Sequence, residues 1–137
     1  MAENRSGIKI FTLPEANAQL PAVRKLIAEL RDIKRQVVGM QAKVDIEELT
    51  ATTQAKARKA GEPILREIEE KVGAFHKSME ALNAIGCELK DLEKGLVDFY
   101  GIRGDDVVYL CWVDGEEKIS HWHTLESGFQ GRQKLEE

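Results

Sequence analysis

The chain reads as an α+β protein, a long antiparallel α-helical hairpin followed by a small antiparallel β-meander. Three observations predict this. Two stretches carry apolar residues in alternating steps of three and four; a glycine and a change of texture follow Ile85; and Asp114-Gly115 separates two strand-like runs. The 137 residues suit a single domain, with 12–85 as the helical hairpin part and 86–137 as the β-meander part.

Met1 to Gly7 are polar and expected to fray, and Ile8 to Phe11 form a short extended stretch. Thr12 opens a helix through a capping box. Its hydroxyl can accept from the Glu15 amide while the Glu15 carboxylate reaches back to the Thr12 amide. Pro14 sits just inside that start, where a missing N–H costs nothing, and Pro21 begins the next helix. From there Val23, Leu26, Leu30, Ile33, Val37, Met40 and Val44 form a heptad seam of the coiled-coil kind. Leu65, Ile68, Val72, Phe75, Met79 and Leu82 form a second. Two such seams are best satisfied by each other, and their centres put the tip near residue 53, among three threonines of poor helix propensity. Gly61-Glu62-Pro63 is a competing breaker, so irregular structure is expected somewhere between 49 and 63.

Gly86 caps the second helix. Strand-like runs then cover Cys87 to Leu89, Leu96 to Phe99, Val107 to Val113 and Glu116 to His123. Asp-Gly favours a two-residue hairpin turn, which sets Val113 opposite Glu116, Cys111 opposite Lys118, Tyr109 opposite Ser120 and Val107 opposite Trp122. In that register both hairpin faces are largely apolar. One helical hairpin covers only one of them well, so a second subunit, the terminal segment after His123 or a ligand must cover the other; a homodimer is expected, built on this sheet or on the helices.

The net charge of -4 and the interleaving of acidic with basic residues argue against a nucleic-acid platform. No apolar run approaches the ~20 residues needed to span a bilayer, and no signal sequence opens the chain. Cys87 and Cys111 read as reduced, buried thiols, so the cytoplasm is the expected location.

Five motifs carry a family resemblance: FTLPEANAQLP (Phe11 to Pro21), KDLEKGLVDF (Lys90 to Phe99), VYLCW (Val108 to Trp112), GEEKISHWH (Gly115 to His123) and ESGFQGR (Glu126 to Arg132). Together they resemble the bacterial family catalogued as domain of unknown function 2203. Positions matching the family pattern include Lys90, Asp98, Cys111, Trp112, Glu116, Trp122, His123 and Arg132. Tyr100 stands near where that family usually carries a proline, and His121 departs from its more common residues. The resemblance implies no activity, since the family has none assigned.

His121 and His123 are two apart on a strand and share a face, as two ligands of one metal do. The register puts Asp106 opposite His123, which makes His121, His123 and Asp106 the metal candidates, with zinc the ion. The simpler reading packs His121 beside Val108 and pairs His123 with a carboxylate such as Asp98 or Glu126. No cofactor is therefore predicted. Asp98 lies among apolar residues and needs a partner, for which Lys90, Arg132 and His123 are candidates. Cys111, with no histidine on its face, reads as an inert thiol.

The function expected is a non-catalytic interaction or small-molecule-binding module. Its polar site would be formed by Asp98, Trp112, Glu116, Trp122, His123 and Arg132. The alternative is a metal-assisted or carboxylate-driven hydrolase using the same residues. That reading requires Asp98, Glu116 and His123 to share one accessible cavity.

Overall fold

A computed structural model describes residues 2–3 and 8–135, and within them the chain is α+β, as the sequence predicts. Ala2–Glu3 (β1) pairs antiparallel with Lys9–Ile10 (β2), so part of the expected frayed start is strand. The rest of that expectation, at residues 1 and 4–7, lies outside the described residues. Helices follow at Leu13–Ala18 (α1), Leu20–Thr50 (α2) and Gln54–Ile85 (α3). Five strands complete the fold: Cys87–Asp91 (β3), Leu96–Arg103 (β4), Asp106–Val113 (β5), His121–Thr124 (β6) and Gln133–Lys134 (β7). They pair antiparallel in sequence order.

The chain forms two compact units. One comprises residues 28–80, the other residues up to 27 together with those from 81 onward. In the first, α2 and α3 run antiparallel from a turn at residues 51–53. Val44 meets Gly61, and Glu29 accepts a hydrogen bond from Ser78, so the pairing centres near residue 53 as the seams predict. The expected irregularity out to residue 63 is not there: α3 runs through Pro63. Lys59 and Pro63 are both exposed, so the carbonyl that proline leaves without a partner is open to water. Two helices alone bury only a narrow stripe. Leu30 and Val44 are fully buried, while Val38, Ile46, Leu49, Leu65 and Val72 stay exposed.

In the second unit the capping box at Thr12 forms as expected. Glu15 donates its amide to Thr12 Oγ1 at 3.2 Å, and Thr12 donates its own to Glu15 Oε1 at 2.8 Å. The buried positions on α2 include Leu20, Val23 and Ile27, with Ile27 in the place expected for Leu26. Gly86 takes φ of 105° after α3, and a Cβ there would meet Lys9 Cδ at 2.7 Å, which leaves room only for glycine.

The β5–β6 connection departs most from expectation. Asp114-Gly115 does turn the chain, with Gly115 at φ of 107° and the Glu116 amide donating to the Val113 carbonyl at 3.0 Å. The ladder does not resume there. The Glu116 carboxylate takes the Val113 amide at 2.8 Å, and the Glu116 carbonyl accepts from Trp112 Nε1 at 2.9 Å. Arg24 donates to the Glu117 carbonyl at 2.7 Å, and Asn17 accepts from the Ile119 amide at 2.8 Å. With these groups satisfied elsewhere, residues 116–120 leave the sheet and β6 begins at His121.

The register therefore pairs Tyr109 with His123, Leu110 with Trp122 and Cys111 with His121. It is three residues away from the one a two-residue hairpin imposes. An odd shift exchanges the faces of β6. The sheet then has one apolar face, with Val97, Phe99, Val108, Leu110 and Trp112 buried. The segment leading into α1 and the start of α2 cover it: Phe11 packs edge-on against Phe99 at 5.1 Å, and the Arg24 guanidinium lies 5.5 Å from the Trp112 ring. The other face is ionisable. The shift moves Trp122 off that face, which keeps Leu96, Ile102, Val107 and Val113 beside its ionisable groups and is less apolar than a two-residue hairpin would make it. No helix among the described residues is long and apolar enough to cross a membrane.

Candidate functional site

Alternation along β3, β4, β5 and β6 sends Glu88, Asp98, Tyr100, Tyr109, Cys111, His121 and His123 to the ionisable face. Lys90, two residues beyond Glu88, falls on the same side, where its Nζ is 3.2 Å from Glu88 Oε1 and 4.0 Å from Asp98 Oδ2.

Asp98 and His123 are each 2% exposed, and His123 Nε2 lies 3.1 Å from both Asp98 carboxylate oxygens. His123 Nδ1 lies 2.8 Å from the Thr124 carbonyl, which can only accept, so Nδ1 carries a proton. A neutral ring would then aim the Nε2 lone pair at a carboxylate. The contact is attractive only with one proton held between Nε2 and Asp98. Burial raises the Asp98 carboxyl above its ordinary range, against the opposing pull of His123. Burial also pushes the Cys111 thiol up to about 12, with the Asp98 charge adding to it.

Beside this pair, Tyr109 donates its hydroxyl to Glu88 at 3.1 Å, and the Tyr100 and Tyr109 hydroxyls are 3.3 Å apart. The hydrogen bond to Glu88 raises the Tyr100 phenol. For Glu88 itself burial pushes upward, but the hydrogen bonds from Tyr100 and Lys90 outweigh it and leave the carboxyl below its usual value. The Lys90 ammonium sits 4.4 Å over the Tyr109 ring.

A second cluster forms where the C-terminal segment returns. Arg132 Nη2 donates to Glu116 Oε2 at 2.7 Å and to His121 Nδ1 at 2.5 Å. A guanidinium cannot accept, so Nδ1 offers its lone pair and the neutral His121 ring carries its proton on Nε2. Arg132 Nε is buried and finds no acceptor among the described residues. The Phe129 ring flanks the guanidinium at 5.1 Å.

Of the residues nominated from sequence, Asp98 and His123 meet directly, and Glu116 meets Arg132 and His121. Trp112 and Trp122 are on the apolar side. Trp112 is in the core and Trp122 lies beneath the Arg103 guanidinium at 4.6 Å. Asp106 pairs with Arg103 at the β4–β5 turn and shares the face of Val108, so it is not opposite His123 and the His121–His123–Asp106 metal set does not form. Cys111 faces the histidines, contrary to the expectation that none shares its side. Both thiols are free and buried, as expected. Tyr100, Tyr109 and Glu88 are not among the site residues nominated from sequence. Period-two alternation from Asp98 and from Cys111 would have found the tyrosines once the register was right.

These features define the class: an α+β protein with a helical hairpin and a five-stranded antiparallel sheet, one face of which is buried yet ionisable. The chain belongs to the family of uncharacterized conserved proteins catalogued as domain of unknown function 2203, whose model matches residues 9–135. No curated protein and no solved structure matches it.

Proposed function

We propose that this protein is a small-molecule-binding module whose ionisable sheet face takes up a small oxyanion, a carboxylate or phosphate, at Arg132. The observation that carries the reading is the Arg132 Nε–H, buried without an acceptor among the described residues, beside two side chains already engaged by Nη2. Leaving such a donor unmet costs about 1–3 kcal/mol, and an oxyanion supplies a charged acceptor for it. Phe129, 37% exposed against the guanidinium, is the cover that moves on binding.

The hydrolase reading is less well supported. Asp98 and His123 are spent on each other in a buried pair, and Glu116 is held by Arg132 rather than turned toward them. Self-association is part of the proposal and uses the helical hairpin, where Val38, Ile46, Leu49, Leu65 and Val72 leave apolar surface unburied. Two free buried thiols suit the reducing cytoplasm.

Thermal-shift and calorimetric titration with inorganic phosphate and with short mono- and dicarboxylates tests the binding. Saturable stabilisation that is lost in Arg132→Gln is expected. No response to any of these anions, or an equal response in Arg132→Gln, overturns the reading. Native mass spectrometry of the same samples reads the subunit number, with a dimer expected.

A further inference from the structure

Three donors of the kind that bind transition metals meet inside the sheet. Asp98 on β4, Cys111 on β5 and His123 on β6 bring a carboxylate oxygen, a sulfur and an imidazole nitrogen within 4.8 Å of one another, and all three residues are buried. The strand register builds the cluster. Asp98 and Cys111 are direct partners across β4 and β5, and His123 stands opposite Tyr109, diagonal to Cys111. Three adjacent strands of one ladder hold the donors, so their spacing does not depend on a loop.

The protonation of the cluster is set by its hydrogen bonds. His123 Nδ1–H is committed to the Thr124 carbonyl, which leaves Nε2 directed at Asp98. One proton lies between Nε2 and the carboxylate, and a second stays on the Cys111 sulfur, which is buried away from water. Both protons can be exchanged for one doubly charged ion. Carboxylate, thiolate, neutral imidazole and a dication sum to zero, as do the same groups with two protons. The exchange therefore leaves no net charge in a buried site.

We propose that Asp98, Cys111 and His123 form a binding site for a divalent transition-metal ion, with zinc the best match. Zinc takes this mixture of oxygen, sulfur and nitrogen at about 2.0–2.3 Å, whereas the thiolate disfavours magnesium and calcium. The Nδ1–H contact to a backbone carbonyl is the orienting bond that metal-binding histidines use. Lys90, 4.0 Å from Asp98 Oδ2, engages one carboxylate oxygen and leaves Oδ1 for the ion. Water completes a tetrahedral shell. The site uses none of Glu116, His121 and Arg132, so it stands or falls independently of oxyanion binding.

The test is titration of the full-length protein, purified without a metal-affinity tag and stripped with a chelator, using Co²⁺ alone and then Zn²⁺. One cobalt ion per chain is expected, with a near-ultraviolet thiolate-to-cobalt charge-transfer band and the visible bands of a tetrahedral ion. About two protons should be released on binding at neutral pH. Zinc should displace cobalt and bleach both sets of bands. Asp98→Asn and His123→Gln should each weaken cobalt binding by more than about tenfold. The chain has two cysteines, so a band retained in Cys87→Ser can come only from Cys111. That variant decides the matter even if Cys111→Ser fails to fold. Absence of a thiolate band in the wild-type protein, its loss in Cys87→Ser, or its survival in a folded Cys111→Ser overturns the site.

Discussion

On the helix-covered side of the sheet, Val97, Phe99, Leu110 and Trp112 are buried, and on the opposite side Asp98, Tyr109, Cys111 and His123 are buried to nearly the same degree. The two sets alternate along the same strands, so the backbone that holds them is identical. What differs is the source of stability. On the apolar side every square ångström removed from water contributes, at about 25 cal/mol. On the ionisable side burial is opposed by desolvation, and the arrangement holds through specific pairings: Asp98 has His123, Glu88 has Tyr109 and Lys90, and Glu116 has Arg132. Equal burial therefore marks two different tasks, cohesion on one face and the fixing of specific groups on the other.

The sharpest way to break this comparison is Trp112→Ala. The ring is fully buried, and its Nε1 also ties the Glu116 carbonyl to the end of β5. A cavity and the loss of this hydrogen bond follow, although the Glu116 carbonyl keeps Arg24 Nη2 at 3.2 Å, for a loss of about 4 kcal/mol, checked by urea denaturation. A loss below about 1 kcal/mol would mean that the apolar face is not the cohesive one.

Asp98→Asn asks the same question of the other face, with an expected loss of about 3 kcal/mol from breaking a buried pair. It also carries a pH signature. Because burial raises the Asp98 carboxyl above its ordinary value of 3.8, the folded protein holds its proton more tightly than the unfolded chain does. That contribution is fully present below the ordinary carboxylate range and is lost as pH rises through the raised value. The stability of wild type minus Asp98→Asn should therefore decline from acid toward neutral pH, and denaturation at several pH values measures it. A difference that grows with pH contradicts the assignment.

Much of this architecture was legible in the residues. The Thr12–Glu15 box, the Gly86 cap and the turn near residue 53 rest on local chemistry, and the chain obeys it. Pro63 was misleading because an exposed helix tolerates a lost hydrogen bond that a buried one does not. The site was half legible. Residue type pointed to Asp98, Glu116, His123 and Arg132, but their partners depended on the β5–β6 register. Asp114-Gly115 turns the chain as its dipeptide predicts, yet the loop that follows is also held out of the ladder by Arg24 and Asn17, about a hundred residues earlier. No local signal contains that information, and an odd register error sends Cys111 and both histidines to opposite sides.

Glu116→Gln probes this register switch directly and has the smallest expected effect. Glu116 Oε1 accepts from the Val113 amide and Oε2 from Arg132. Glutamine keeps one acceptor but turns an NH₂ toward one of two donors, so one of these contacts is lost. The expected cost is about 1 kcal/mol, with the fold retained, measured by denaturation and by circular dichroism. If the carboxylate only decorated the surface, stability would not move. If it alone held residues 116–120 out of the ladder, its loss would free the Val113 amide to pair and shift β6, with cross-strand contacts between Tyr109 and Ser120 replacing those between Tyr109 and His123 in nuclear magnetic resonance spectra. We expect the native contacts to persist, because Trp112, Arg24 and Asn17 still hold the same loop.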